Sequence, residues 1–359
     1  MLPALGVRSP LLTVAVAAGF LLVLLFGFLA WHSPPSVQLP YYGSSSYQHP
    51  TSYKDILNVL YADLKPAPDQ PSIDDGDGGK LELSARPRYR KGLGKEVLIL
   101  DLDTRPLGST EDYRNGQYNW RKINHVSGGV FNHHTYSVIH GYDYKFVQAP
   151  NFEDRHPTWI KPSALANELK KYKFIVFLDA DATFRFLHLP IEWMLNYWDI
   201  QPHHSITMAL DPWDPKEPQY NSDRFNRTYT NTGFMVVQNN KYTQEILRAW
   251  HECPEDTRYA NCSEWKKPKF HEQSAFGEFV RYDYEKYIKE LPCAEANGFP
   301  GVTVSNCQGR FIRHYWFDKS LVKRDFADNI MQALSLPIQR VFSENIGNIV
   351  VQTKENKIG

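Results

Sequence analysis

The densest apolar stretch of the chain comes first. Leu11 to Trp31 runs for 21 residues without a charge. At ~1.5 Å per residue, a helix of that length spans the ~30 Å hydrocarbon core of a bilayer. Only the N-terminus and Arg8 carry charge before it, and none follows until Lys54. The positive-inside rule therefore predicts a cytoplasmic tail over 1–10, an anchor over 11–31 and the remainder in a lumen. A cleaved signal peptide is the alternative. Its apolar core would be ~7–15 residues, followed by a small-x-small cleavage site, and the run has neither feature. Residues 32–92 are rich in Pro, Ser, Gly and Tyr, and only Tyr53–Leu64 has helical periodicity. That composition predicts a stem. Asp74–Gly79 resembles a calcium loop but lacks the closing Glu, so it reads as a solvated linker.

Regular patterning begins near Lys95, and residues 93–359 have the length of one large α/β domain. Val97–Leu100 is a short apolar run ending in Asp101, the pattern of a buried strand. Val130–His140 predicts a helix, Asp143–Val147 a strand and Pro162–Lys171 a helix. Phe174-Ile-Val-Phe-Leu178 is a continuous apolar strand. Ser205–Leu210 and Gly233–Val237 read as further strands. From Phe270 onward, Phe276, Phe279, Val280, Tyr287, Ile288 and Leu291 recur near a period of ~3.6 and predict a helix. Strands alternating with helices predict a mostly parallel central sheet.

Charge and cysteine content narrow the picture. The 40 basic and 40 acidic residues balance, so nothing drives binding to nucleic acid. Aromatic residues make up 14% of the chain, with 21 Tyr and 9 Trp. Such rings suit the C–H faces of sugars, and equally a Tyr-rich core. Cys253, Cys262, Cys293 and Cys307 all fall in the domain. In an oxidising lumen they permit two disulfides in any of three pairings, with the local pairs closing the shortest loops. Zinc is the alternative, without C-x-x-C spacing in its favour. Asn226-Arg-Thr and Asn261-Cys-Ser are N-glycosylation triplets.

The chemistry concentrates at Asp179-Ala-Asp181. Two carboxylates at i and i+2 leave the end of a buried strand, where ligands of open α/β sheets bind. Paired hard oxygens suit Mg²⁺ or Mn²⁺, which in turn neutralises a departing diphosphate. The bland alternative is a pair of solvated loop acids.

The order Asp179-Ala-Asp181, Asn231-Thr-Gly-Phe-Met-Val-Val237, His271-Glu-Gln-Ser-Ala275 and Arg313-His-Tyr-Trp-Phe-Asp-Lys319 resembles glycosyltransferase family 34. That family includes fungal α-1,2-galactosyltransferases, α-1,6-mannosyltransferases and plant xyloglucan xylosyltransferases. The likeness runs from about Val97 to Lys319. It implies a GT-A-like nucleotide-sugar-binding fold, here behind the single N-terminal transmembrane helix that the apolar run predicts. It also implies a UDP- or GDP-sugar donor, Mn²⁺ and transfer with retention of anomeric configuration. Asp179 and Asp181 match the family's metal-binding acids and His314 its late histidine ligand; imidazole suits Mn²⁺ beside carboxylates. Lys319 matches a lysine on the diphosphate. Asn231 and Gly233 match the Asn-x-Gly donor loop, where Gly permits close backbone approach. Glu272 and Gln273 match the pair beside the reacting centre. A Gln carbonyl is a poor nucleophile, so its expected role is to steady positive charge at the anomeric carbon.

Three further donor contacts are expected. Asp101, in Leu100-Asp-Leu-Asp-Thr-Arg105, lies where the fold binds a nucleoside, and its pairing with Asp103 makes a second candidate metal site. Lys161 lies in a segment, His156-Pro-Thr-Trp-Ile-Lys, resembling the family's Trp-x-Lys. Asp211 follows Met208-Ala-Leu210. His133 and His134 point about 100° apart on a helix and read as structural.

The expected function is hexosyl transfer, galactose or mannose, from a UDP- or GDP-sugar to a glycan or glycoprotein acceptor. The expected enzyme is Mn²⁺-dependent (Mg²⁺ as substitute) and sits in the Golgi membrane as a single-pass type II protein. The resemblance also admits a complex with other Golgi glycosyltransferases. A metal-dependent phosphohydrolase or nucleotidyl enzyme using the same acids is one alternative, and a non-catalytic lectin-like membrane protein is another.

Overall fold

The computed structural model describes residues 52–105, 119–302 and 306–352. The run Leu11–Trp31 and the tail before it lie outside these residues. Among the described residues, no helix is long and apolar enough to cross a membrane.

Helix α1 (Tyr53–Tyr61) is followed by a hairpin of β1 (Ser72–Asp74) and β2 (Lys80–Glu82). Both fall in the stretch read as stem, yet both are packed. Leu57, Tyr61, Ile73, Leu81 and Tyr89 are buried in the first of two core clusters. The Asp74–Gly79 linker is the hairpin turn, with Asp75 Oδ1 accepting from the Asp77 and Gly79 amides at 2.8 Å each.

Then come β3 (Val97–Asp103), α2 (His125–His140), β4 (Asp143–Gln148), α3 (Ile160–Leu169), β5 (Phe174–Leu178), β6 (Ala182–Phe184) and α4 (Ile191–Tyr197). They are followed by β7 (Ile206–Leu210), β8 (Thr230–Gln238), α5 (Thr243–His251) and α6 (Glu272–Ala275). Helix α6 runs on through a wider turn at Phe276–Val280 to Asp283. The last elements are β9 (Ile288–Leu291), α7 (Cys293–Ala296), β10 (Ile312–His314), α8 (Leu321–Glu344) and the short α9 (Ile346–Ile349).

Six strands form the central sheet in the order β4-β3-β5-β8-β7-β9. The expectation of a mostly parallel sheet is corrected here: the sheet is mixed. β4, β3 and β5 are parallel and β9 is parallel to β7, but β8 runs antiparallel to both β5 and β7. No helix crosses between β7 and β8, so the chain returns antiparallel. The apolar run of β8 conceals this, because a strand covered on both faces reads alike in either direction.

Alternate residues of each strand feed opposite faces. Ile99, Val176 and Val236 pack with Tyr136 of α2 and Trp193 of α4. Leu100, Phe177 and Met235 pack with Leu165 of α3 and Trp250 of α5. The helix predicted from Phe270 ends at Asp283. Ile288 and Leu291 belong to β9, where pairing with β7 overrides the helical period.

The cysteines form the two local pairs, Cys253–Cys262 and Cys293–Cys307. Asn226 and Asn261 of the two triplets are both exposed.

Candidate active site

The wholly buried β5 delivers Asp179 at the carboxyl edge of the sheet. The Asp179 amide donates to the Gly233 carbonyl at 2.7 Å, and the Ala182 amide to the Asp179 carbonyl at 2.9 Å. This turn aims Asp179 and Asp181 into a cleft of about 400 Å³. Helix α2 lies hard against it, since a Cβ on Gly129 would fall 2.2 Å from the Ala180 carbonyl oxygen.

β10 pairs antiparallel with β6 and sets His314 opposite Ala182. Ligand atoms of Asp179, Asp181 and His314 then lie within 4.8 Å of one another. His314 Nδ1 meets Asn297 Oδ1 at 2.8 Å. That oxygen also accepts from Trp316 Nε1 at 3.2 Å, while the Asn297 amide nitrogen donates to Asp211 Oδ1 at 3.3 Å. The amide orientation is thereby set, and Nδ1 donates to Asn297. Nε2 faces Asp181 Oδ1, 3.2 Å away. A ring nitrogen held beside two carboxylates supplies a third donor atom, so these residues fit a divalent metal.

Lys319 Nζ lies 2.8 Å from Asp181 Oδ2. Burial pushes the Asp181 carboxyl up, but His314 and Lys319 outweigh it and hold the group far below the usual range. Burial dominates at Asp179 and raises it against the Lys161 ammonium.

Lys161 is a buried strut. Its Nζ reaches Asp179 Oδ1 at 3.0 Å, Glu272 Oε1 at 3.2 Å, and the carbonyl and hydroxyl of Thr232 at 3.2 Å each. Glu272 also accepts from Thr232 Oγ1 at 2.9 Å and from the Thr158 hydroxyl. Burial raises the Glu272 carboxyl, and Lys161 with the two hydroxyls overcomes this to hold it below its ordinary value.

On the other side of Thr232, Gln273 Oε1 accepts the Thr232 amide at 3.1 Å and Nε2 donates to Asp211 Oδ2 at 2.7 Å. Asp211 Oδ1 accepts from Asn231 at 2.8 Å. Burial raises the Asp211 carboxyl against these amide donors. The Gly233 amide closes the loop onto Asn231 Oδ1 at 2.7 Å.

Asp101 behaves differently. It is buried, with Oδ1 on His133 Nδ1 at 2.7 Å and Oδ2 accepting the Tyr144 hydroxyl. His133 Nε2 reaches the Ala182 carbonyl at 2.9 Å. Asp101 therefore braces the Asp179–Asp181 turn from inside, and the next residues, Leu102 to Arg105, line the cleft. Asp103 is paired to Arg105 at 2.8 Å and is not part of the Asp179–Asp181–His314 group. His125 and His156 also line the cleft. Sequence reading did not single them out as site residues; the one available signal was the capping Asn124 that starts α2 beside His125.

No curated protein matches the chain in sequence. Similar solved structures include a glycosyltransferase involved in glycosylation of the major capsid of PBCV-1, at TM-score 0.45 and 13% identity, covering 64% of this chain and 98% of that one. The galactosyltransferase LgtC in complex with donor and acceptor sugar analogues aligns at TM-score 0.38 and 8% identity, covering 65% of this chain and 95% of that one. Mouse xyloside xylosyltransferase 1 aligns at TM-score 0.38 and 11% identity, covering 62% and 97%. The family model of glycosyltransferase family 34, described as the galactosyl transferase GMA12/MNN10 family, matches residues 110–291, just over half of the chain. That stretch contains Asp179, Asp181, Asn231, Gly233, Glu272 and Gln273, and His314 and Lys319 join them in space. With that match over more than half of its length, the chain belongs to the galactosyl transferase GMA12/MNN10 family and is a glycosyltransferase.

Proposed function

We propose that this glycosyltransferase moves a hexose, galactose or mannose, from a UDP- or GDP-sugar to a glycan acceptor, with Mn²⁺ as cofactor and retention at the anomeric carbon. The observation that carries the reading is the division of one site into two halves. Asp179, Asp181, His314 and Lys319 form an anion-handling half, and Asp211, Asn231 and Gln273 form a hydroxyl-binding half, joined through Asn297.

Asp179, Asp181 and His314 would hold the metal, which when bound neutralises charge on the leaving diphosphate. Mg²⁺ fits the same donors. Lys319 supplies a further positive charge on that diphosphate. Asp211 and Asn231 orient sugar hydroxyls. Gln273, fixed at both ends of its amide, places its carbonyl dipole beside the anomeric carbon as positive charge develops there. The bond from the anomeric carbon to the diphosphate oxygen breaks. The acceptor oxygen bonds to the same face, and its proton passes to the departing phosphate. Glu272 keeps Lys161 and Asp179 in place.

The fold is of GT-A type in this reading. Leu11–Trp31 anchors the enzyme in the Golgi membrane with the catalytic domain in the lumen, a compartment that suits two disulfides. The test is a panel of UDP- and GDP-sugars with the purified enzyme, Mn²⁺ and an oligosaccharide acceptor. Acceptor-stimulated release of nucleoside diphosphate together with an extended glycan is expected. Phosphate release without sugar transfer would move the assignment to a phosphohydrolase. Glycan binding without turnover would move it to a lectin.

A further inference from the structure

Phe317 is 78% exposed, a large apolar ring left in water beside a charged cleft. It lies between His314 and Lys319, which both line that cleft. The ring belongs to a cluster. Its centroid is 5.4 Å from Trp316 and 5.6 Å from Phe299, edge to face in both cases, and Phe299 lies 5.5 Å from Trp316. Trp316 is wired into the site, because its indole N–H donates to the Asn297 oxygen that also faces His314 Nδ1. Asn297 in turn bonds Asp211. One amide thus couples an open aromatic cluster to both halves of the site. None of the three rings lines the cleft itself, whose walls include Leu102–Arg105 and His125.

We infer that Phe299, Trp316 and Phe317 form an acceptor platform on which a pyranose ring of the glycan acceptor stacks. The inference rests on the transfer reading above. In a retaining transfer the acceptor hydroxyl approaches from the face the diphosphate leaves, so the acceptor lies against the residues that hold the diphosphate. The segment from His314 to Lys319 joins two of those residues, and it carries Trp316 and the exposed Phe317 between them. A pyranose offers a face of C–H groups to such rings while its rim of hydroxyls stays free for hydrogen bonds. Asn297 keeps Trp316 in register with Asp211, and so the stacked acceptor in register with the donor sugar.

Phe317→Ala tests this, since Phe317 is exposed and its removal leaves the fold intact. Acceptor KM should rise roughly tenfold or more. The KM for the nucleotide-sugar and its slow acceptor-independent hydrolysis should not change. Phe317→Trp should restore the acceptor KM. An unchanged acceptor KM overturns the inference, as does an equal rise in donor KM, which would put the ring on the nucleotide. Saturation-transfer NMR from aromatic protons to an oligosaccharide gives an independent reading. If the wild type turns over no nucleotide-sugar, the transfer reading fails. The platform then stands or falls on whether Phe317→Ala abolishes that glycan contact.

Discussion

Gly233 leaves the space that the His314 imidazole occupies: a Cβ there would sit 2.2 Å from His314 Cε1 and 2.7 Å from Nδ1. The Asn-x-Gly loop therefore also shapes the candidate metal site, since the absence of one methyl group makes room for the histidine beside Asp181. Gly233→Ala should push the ring off its Asn297 partner and weaken Mn²⁺ binding about 10–100-fold, as loss of a ligand's supporting contact does. Calorimetric titration of Mn²⁺ checks this directly. Unchanged affinity would show that His314 is not a ligand.

The two D-x-D triplets should separate cleanly. Asp181→Asn keeps the shape but removes a ligand charge, and should lower transfer ~10²–10³-fold and alter the Mn²⁺ requirement, with some loss of stability from its pairs with His314 and Lys319. Asp101→Asn breaks the pairing with His133 and Tyr144. It should cost about 1–3 kcal/mol of stability and leave the Mn²⁺ requirement in place. Denaturant unfolding and Mn²⁺-dependent assays on both variants decide. The reverse pattern would move the metal to Asp101 and Asp103.

Local patterns carried the strands well. Phe174–Leu178 is the predicted strand residue for residue, and its trailing acids stand where strand-end chemistry predicts. What stayed hidden depends on distant partners. Asp101-x-Asp103 and Asp179-x-Asp181 look alike locally, and only His133 from α2 and Tyr144 from β4 turn the first inward. Strand direction is not written in an apolar run, so a mostly parallel sheet was the expectation and the reversal at β8 did not show. β9 was absorbed into a helical period because Tyr287, Ile288 and Leu291 also satisfy that spacing. Residues 52–92 have the composition of a linker, yet Leu57, Tyr61 and Ile73 find apolar surface to cover.

Stability should fall in mild acid, and His140 should contribute. Its ring packs 4.6 Å from Tyr136 and 5.4 Å from Tyr142, and Nε2 donates to the Leu187 carbonyl at 2.9 Å. Burial pushes its pKa down to about 3, with the Leu187 carbonyl opposing and Lys65 adding. An unfolded histidine titrates near ~6.5. Between those values the unfolded chain holds a proton the folded chain lacks. Stability therefore drops as pH falls through ~6.5, by up to ~1.4 kcal/mol per unit from this group. His140→Gln retains a donor without titrating and should flatten the slope of urea stability between pH 5 and 7. Parallel slopes in the two proteins would exclude His140 as a source.

Lys161 ties Glu272 to Asp179, and that coupling can be measured. Its side chain is 5% exposed and that of Glu272 only 2%, so neither charge has water to fall back on. Lys161→Met would strand the Glu272 carboxylate with only the Thr158 and Thr232 hydroxyls, at a cost of about 3–5 kcal/mol. Glu272→Gln should cost less, because Lys161 keeps Asp179. The double variant should recover much of the loss of Lys161→Met, giving a coupling of about 1–3 kcal/mol in a double-mutant cycle. The metal should respond with the opposite sign. Lys161 already neutralises Asp179 before any cation arrives, and its ammonium repels one. With that charge removed, Mn²⁺ should bind more tightly, even while the protein is less stable and the donor sugar less well held. Additive stabilities together with unchanged Mn²⁺ affinity would mean that Lys161 contacts these acids without setting their charge balance.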